Sequence, residues 1–354
     1  MWPSTRLTDL LGIDHPILQA PMLGTCTPEL AAAVSHAGGL GAHACGVLSG
    51  AEVEARIQAV TRLTNAPVNF NFFVLRPEGR TAKPGALAHL HRYFAMHDVD
   101  PVEAPPDTPN PAPGPDVIDA ICRAAPRVVS FHFGLPDAGD VARIKAAGTV
   151  ILSTATTVSE ARDLDAAGVD AIIAQGWEAG GHRGSHQPTH PGDGVGTLAL
   201  VPQIVDAVRV PVIAAGGIGD ARGIAAAFAL GASGVQMGTV FLDTPEAATS
   251  QAARARLAQS GDDGTMVTDA VSGRSARGAK TRYAEDMARF ARELPEFPEL
   301  YSLTRPLLDA GVMDFSLHGQ AGVFARNMPA GKLVQSLVYE TQTHLAALGR
   351  GSVG

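Results

Sequence analysis

His182 stands in the run Ala174-Gln175-Gly176-Trp177-Glu178-Ala179-Gly180-Gly181-His182-Arg183-Gly184. An imidazole with an ordinary pKa of about 6.5 suits proton abstraction near neutral pH. Gly180 and Gly181 let the backbone approach a flat ring, and Gln175 can donate and accept in-plane hydrogen bonds to a flavin-type heterocycle. A second constellation comprises Ala214-Ala215-Gly216-Gly217-Ile218 and Gly238-Thr239. With no Cβ in the way, the N–H groups of Gly216, Gly217 and Gly238 can reach phosphate oxygens, and Thr239 adds a hydroxyl. Neither a G-x-G-x-x-G fingerprint after the first strand nor a G-x-x-x-x-G-K-[ST] loop is present, so the phosphate points to a mononucleotide such as FMN.

Other candidates are weaker. His132 follows a strand, where its ring can either work on substrate or line the pocket. His186 and His190 stand four apart, but Pro188 and Pro191 oppose a helix that would present them together, so no metal site is expected. Cys26, Cys45 and Cys122 form no Cys-x-x-Cys pair and read as free thiols, not as a disulfide framework or a zinc site.

These residues need a scaffold, and the chain supplies one. Short apolar runs recur at Pro16–Gln19, Leu40–Ala42, Pro67–Phe70, Val128–Phe131, Thr149–Leu152, Ala171–Ala174, Pro211–Ala214 and Gly234–Met237. Each precedes a glycine-rich or polar turn and then a helix-like stretch. Alternating strand and helix signals with continuously apolar strands mean a parallel sheet covered on both faces. Eight such units predict closure into an α/β fold of the (β/α)8 TIM-barrel type, with working residues on the loops after the strands and phosphate after strands seven and eight. The proline-crowded segment Asp100 to Asp116 reads as an extended surface excursion. Residues 245–317 carry no strand signal and read as a helical insertion covering the barrel mouth. The barrel itself would comprise 1–244 and 318–354, with Gly331 to Leu348 as its last helix.

The bulk properties agree. A chain of 354 residues holds one barrel of about 250 residues with room for an insertion. A net charge of -8 argues against a nucleic-acid partner, whose footprint is basic and clustered. No apolar run reaches the roughly 18 residues of a membrane span, and the N-terminus lacks a basic region leading into an apolar stretch. A cytoplasmic small-molecule enzyme, monomer or homodimer, is the expectation.

At these residues the chain resembles the nitronate monooxygenase family, formerly called 2-nitropropane dioxygenases. The likeness covers nearly the whole sequence. It includes Gln19-Ala20-Pro21-Met22, Gly38-Gly39-Leu40-Gly41, Asn69-Phe70-Asn71, His132-Phe133-Gly134, the run through His182, the two phosphate loops, Ser272-Gly273-Arg274 and Gly319-Gln320-Ala321-Gly322. The resemblance implies a barrel enzyme using FMN and O2 to convert alkyl nitronates, and often nitroalkanes, into carbonyl compounds and nitrite. It further implies FMN contacts from Met22, Asn69, Gln175, Gly180, Gly217, Gln236, Met237, Gly238 and Thr239, and maps the family's catalytic base onto His182. A nitro group acidifies the adjacent C–H, so a histidine base there would generate the nitronate. Family members often carry a tyrosine-rich, lysine-bearing segment in the insertion. Its match here is Phe297, Tyr301 and Arg305, which leaves one tyrosine and an arginine in place of lysine and puts substrate preference in question. The His- and Pro-rich stretch Ser185 to Gly194 is a further departure at the mouth. Similar barrels occur in FMN-dependent NAD(P)H:quinone reductases and enoyl-[acyl carrier protein] reductases, which stay open as alternatives. So does a flavin-binding sensor or store without turnover.

Overall fold

A computed structural model of the chain describes residues 2–75, 85–102, 112–187 and 192–350. Its strands, in chain order, are β1 (Ile17–Gln19), β2 (Gly41–Ala44), β3 (Val68–Phe73), β4 (Val128–His132), β5 (Val150–Ala155), β6 (Ala171–Gln175), β7 (Gly181–His182), β8 (Val212–Ala215), β9 (Gly234–Met237), β10 (Thr265–Thr268) and β11 (Ala276–Ala279). Every strand expected for the barrel is present, within a few residues of its anticipated bounds. Eight of them form one parallel sheet in the order β1-β9-β8-β6-β5-β4-β3-β2.

The seam between β1 and β2 closes the cylinder by a short bridge. Leu40 N–H donates to the Ile17 carbonyl at 3.0 Å, and Gln19 N–H to the Leu40 carbonyl at 2.9 Å. The Gln19 side chain then extends the seam. Its Oε1 accepts the Ala42 N–H at 3.0 Å and its Nε2 donates to the Ala42 carbonyl at 3.2 Å. A buried amide thus supplies the ladder bonds that two diverging strands could not make for themselves.

Alternation along each strand separates two cores. Ile17, Phe70, Val129, Phe131, Ile151, Ile172, Val212 and Val235 pack outward against the helices. Leu18, Val128, Leu152, Ile173 and Ile213 point inward and meet Leu7 and Leu11 of the helix Arg6–Leu11, which plugs the barrel floor. Each such fully buried side chain contributes about 1.5–3 kcal/mol relative to exposure. Toward the C-terminal rim the inward positions turn polar: Asn69 and Asn71 on β3, Ser130 and His132 on β4, Gln175 on β6, Gln236 on β9. A dry floor below a polar mouth leaves the mouth as the place for chemistry.

Capping sets where the outer helices start. Thr27 Oγ1 accepts the Leu30 N–H ahead of Pro28, and Thr157 and Glu160 cap one another's backbone reciprocally. The closing helix, Ala330–Arg350, packs between Pro28–His36 and Ala221–Ala229, completing the ring. Its core contacts come from Leu333, Val334 and Leu337. Among the described residues no helix is long and apolar enough to cross a membrane.

The structure corrects one expectation. Residues 245–317 are not purely helical: β10 and β11 form an antiparallel hairpin, and β11 also pairs with β7, setting Ala276 opposite His182 and Arg277 opposite Gly181. Ala276-Arg277-Gly278-Ala279 contains no β-branched or aromatic residue, so its strand conformation comes from tertiary pairing and not from propensity. This region's core, with Tyr283, Leu300 and Leu307, also takes in Leu90 and Phe94 from the helix Ala86–Met96 between β3 and β4. Of the proline-rich excursion, residues 103–111 lie outside the described part, and Pro115 opens the helix Pro115–Ala124 at a position that needs no N–H. His190, Pro188 and Pro191 also lie outside it.

Candidate active site

The loop after β6 is built to hold His182. The Gln175 side chain clamps it from the strand end, Nε2 donating to the His182 carbonyl at 3.0 Å and Oε1 accepting the Gly184 N–H at 2.8 Å. His132 supports it from below, with Nε2 at 3.1 Å from the same carbonyl and Nδ1 at 3.1 Å from Thr154 Oγ1. A carbonyl can only accept, so His132 carries its proton on Nε2 and takes the Thr154 hydroxyl proton at Nδ1. Arg183 is buried and donates to the Gly176 carbonyl at 2.6 Å, with its guanidinium 5.1 Å from the centre of the Trp177 ring. Gly180 serves packing: a Cβ there would lie 2.4 Å from Gly319 N and 2.5 Å from the His318 carbonyl carbon. Gly181, at φ +82, has no heavy atom within 4 Å of a built Cβ. Of the two glycines, only Gly181 borders open space.

Above the loop the His182 ring is half-buried among aromatic rings. Phe297 lies 5.3 Å away between centroids, and Phe133 and Phe315 each 6.1 Å. Tyr301 packs on Phe315 at 5.8 Å. Arg305 is exposed, pairs with Asp309 at 2.8 Å and also interacts with the Tyr301 side chain, so it borders the aromatic wall from the solvent side. His182 Nε2 has one polar partner, Ser272 Oγ, at 3.0 Å. Desolvation foremost, then the neighbouring His132 and the Arg274 guanidinium, push His182 down to about 3. Burial likewise lowers His132 to about 4, although its bond to the His182 carbonyl opposes the shift. Both rings are therefore neutral throughout the physiological range.

The expected phosphate loops come together at the same rim. Gly216 and Gly217 adopt φ +108 and +71, values few side chains tolerate, and this turn follows β8. Gly238 and Thr239 follow β9, with Thr239 Oγ1 accepting the Gly319 N–H at 2.9 Å. Deeper in the mouth, Asn69 donates to Ser130 Oγ at 2.9 Å but its Oδ1 is buried with no partner, as is Oε1 of Gln236. Buried acceptors without donors are costly in a finished core. Two of them at a polar barrel mouth fit the N–H-bearing edge of a bound heterocycle. Met22 is half-buried beside this rim, whereas the Met237 side chain packs into the outer core, leaving only its backbone toward the mouth. His186 donates its backbone N–H to Glu160 and sets its ring against the Thr154 carbonyl. Among the described residues no group of His, Cys, Asp and Glu could hold a metal ion.

Sequence reading missed Ser272 and Phe315 as neighbours of His182. Ser272 stood inside a motif of the resemblance without a role, and Phe315 carried no signal at all.

A family model described as nitronate monooxygenase matches residues 4–340. The chain belongs to that family. A nitronate monooxygenase of Pseudomonas aeruginosa is 43% identical over 345 residues, covering 95% of this chain and 98% of the relative. Among solved structures, a nitroalkane oxidase from Streptomyces ansochromogenes superposes with a TM-score of 0.88 at 37% identity, covering 97% of this chain and 99% of that one. FabK from Thermotoga maritima superposes at 0.76 with 30% identity, covering 99% and 100%. The solved relatives thus include both a nitroalkane oxidase and FabK, and the nitroalkane oxidase is the nearer of these two in fold and in sequence. The chain is accordingly a nitronate monooxygenase-family enzyme on a TIM barrel.

Proposed function

We propose that the chain oxidises alkyl nitronates, and more slowly nitroalkanes, with O2 to carbonyl compounds and nitrite, using FMN held at the C-terminal rim. The observation that carries the reading is His182: a neutral imidazole clamped on the loop after β6, ringed by aromatic side chains, at a mouth with unpaired buried acceptors. Gly216, Gly217, Gly238 and Thr239 would hold the FMN phosphate, and Asn69, Gln236 and the Gly181 backbone would line its ring, with Met22 alongside. When bound, FMN supplies the redox chemistry between nitronate and O2.

The protein's own part is binding, proton transfer and exclusion of water. Phe133, Phe297, Phe315 and Tyr301 offer an apolar wall suited to the alkyl portion of the substrate. A ring nitrogen of His182 removes the acidic proton of a neutral nitroalkane. Because burial holds this imidazole far below its ordinary pKa, it is a weak base, and Brønsted behaviour then makes deprotonation slow. A preformed nitronate needs no such step. On this reading nitronates are turned over faster than nitroalkanes.

Purified protein mixed anaerobically with propyl-2-nitronate should show reduction of its flavin absorbance, and NADH alone should not. Bleaching by NADH without any nitronate response would overturn the reading in favour of a reductase. A flavin that responds to neither would point to a sensor or store.

A further inference from the structure

The residue that decides which nitrogen of His182 is basic lies outside the barrel, on the hairpin of the insertion. Ser272 sits in the turn between β10 and β11 and is fully buried. Its Oγ is 3.0 Å from His182 Nε2 and also donates to the Arg274 carbonyl at 3.1 Å. A hydroxyl has one proton. If that proton goes to the carbonyl, which can only accept, the oxygen must receive the bond from Nε2–H, and both hydrogen bonds form. The reverse assignment, hydroxyl to Nε2, forms one. No other polar group among the described residues hydrogen-bonds to the ring: Phe133, Phe297 and Phe315 pack around it, and His132 and the Arg274 guanidinium act on it only through space.

We propose that Ser272 is a positioning residue that holds His182 as the Nε2–H tautomer, so that Nδ1 is the atom that receives the substrate proton. The inference rests on the nitronate and nitroalkane reading above. The turn is stiffened for the task. The Tyr283 hydroxyl donates to the Ala270 carbonyl at 3.0 Å, Thr304 Oγ1 to the Val271 carbonyl at 2.9 Å, and Ser275 Oγ to Asp269 Oδ1 at 2.8 Å. Arg183 N–H, next to His182, donates to the Ser275 carbonyl at 2.9 Å, tying the turn to the catalytic loop. Orientation of an imidazole by a fixed partner on its second nitrogen is a general device of acid–base sites.

The test is 15N NMR of the flavin-loaded enzyme labelled at histidine, with His182→Asn used to assign the His182 signals. A pyridine-type shift at Nδ1 and a pyrrole-type shift at Nε2 are expected. The opposite pattern in wild type overturns the proposal without reference to any variant. Ser272→Ala should give a mixture of tautomers and lower kcat on a neutral nitroalkane about tenfold, with KM little changed and a smaller loss on the preformed nitronate. Ser272→Thr, which keeps the hydroxyl, should restore the wild-type shifts. Unchanged shifts in Ser272→Ala would remove the serine from this role. Wild-type shifts as expected with no turnover of nitronate or nitroalkane would instead sink the functional reading and leave the tautomer assignment standing.

Discussion

Two neutral imidazoles, the ring of His132 bonded to the backbone carbonyl of His182, give the site its character. His182 falls to about 3 and His132 to about 4, both chiefly by desolvation. A histidine whose folded pKa lies below its unfolded value is bound to a proton more often in the unfolded chain at acidic pH. Its contribution to stability is complete above the unfolded value near 6.5 and is lost as pH falls toward the folded value. Between pH 7 and pH 4.5 each ring should therefore cost about 2 kcal/mol of stability. Thermal melts of wild type and His182→Asn over that range check this: the variant should lose less of its melting temperature, and parallel curves would contradict the shift. In kinetics, His182→Asn should retain FMN and lose nitroalkane activity by about 100-fold, with a smaller loss on nitronates. Equal losses on both substrates would remove the ring from the base role. Gln236 supports a test with an unusual sign. Its buried Oε1 has no partner, so Gln236→Met should leave the flavin-free protein as stable or about 1 kcal/mol more stable. The same change should weaken FMN retention, measured by fluorescence titration.

Among the elements, the loop from β6 through β7 is held by strands on one side and the hairpin on the other. Gly180 is pinned against His318 and Gly319, where any Cβ must displace backbone. Gly180→Ala should cost about 2–4 kcal/mol and shift the loop, seen as a lowered melting temperature and weaker FMN binding. The sequence singles out this glycine for approach to a flat ring; its packing against a second segment, 138 positions downstream, is invisible in a local run of letters. Hairpin β10–β11 was missed for a related reason. β11 has no β-branched or aromatic residue and takes its conformation from pairing with β10 and β7, while the β-branched run Thr265–Thr268 is only four residues long and reads as part of a helical stretch.

Across the whole molecule, a barrel supplies the rim and Phe133, and the insertion supplies the rest of the aromatic wall and the serine. The core of the insertion reaches back to Leu90 and Phe94, so the mouth is framed by two separate excursions from the barrel. Tyr283→Phe and Thr304→Val each remove one bond that fixes the Ser272 turn. Each should lower nitroalkane turnover several-fold while leaving the affinity for FMN close to wild type. A double-mutant cycle with Ser272→Ala should show non-additivity if the turn acts as one unit.

The eight apolar strand runs, the glycine turns after the last two and the histidine run after β6 were all legible in the letters. Strand periodicity and turn chemistry are local, and the parallel barrel follows from them almost without alternatives. Tertiary structure alone decided which side chains meet His182: Phe297, Phe315 and Ser272 come from distant parts of the insertion. It also decided the protonation state of the ring, because desolvation depends on what packs around a group and no spacing in a sequence encodes that.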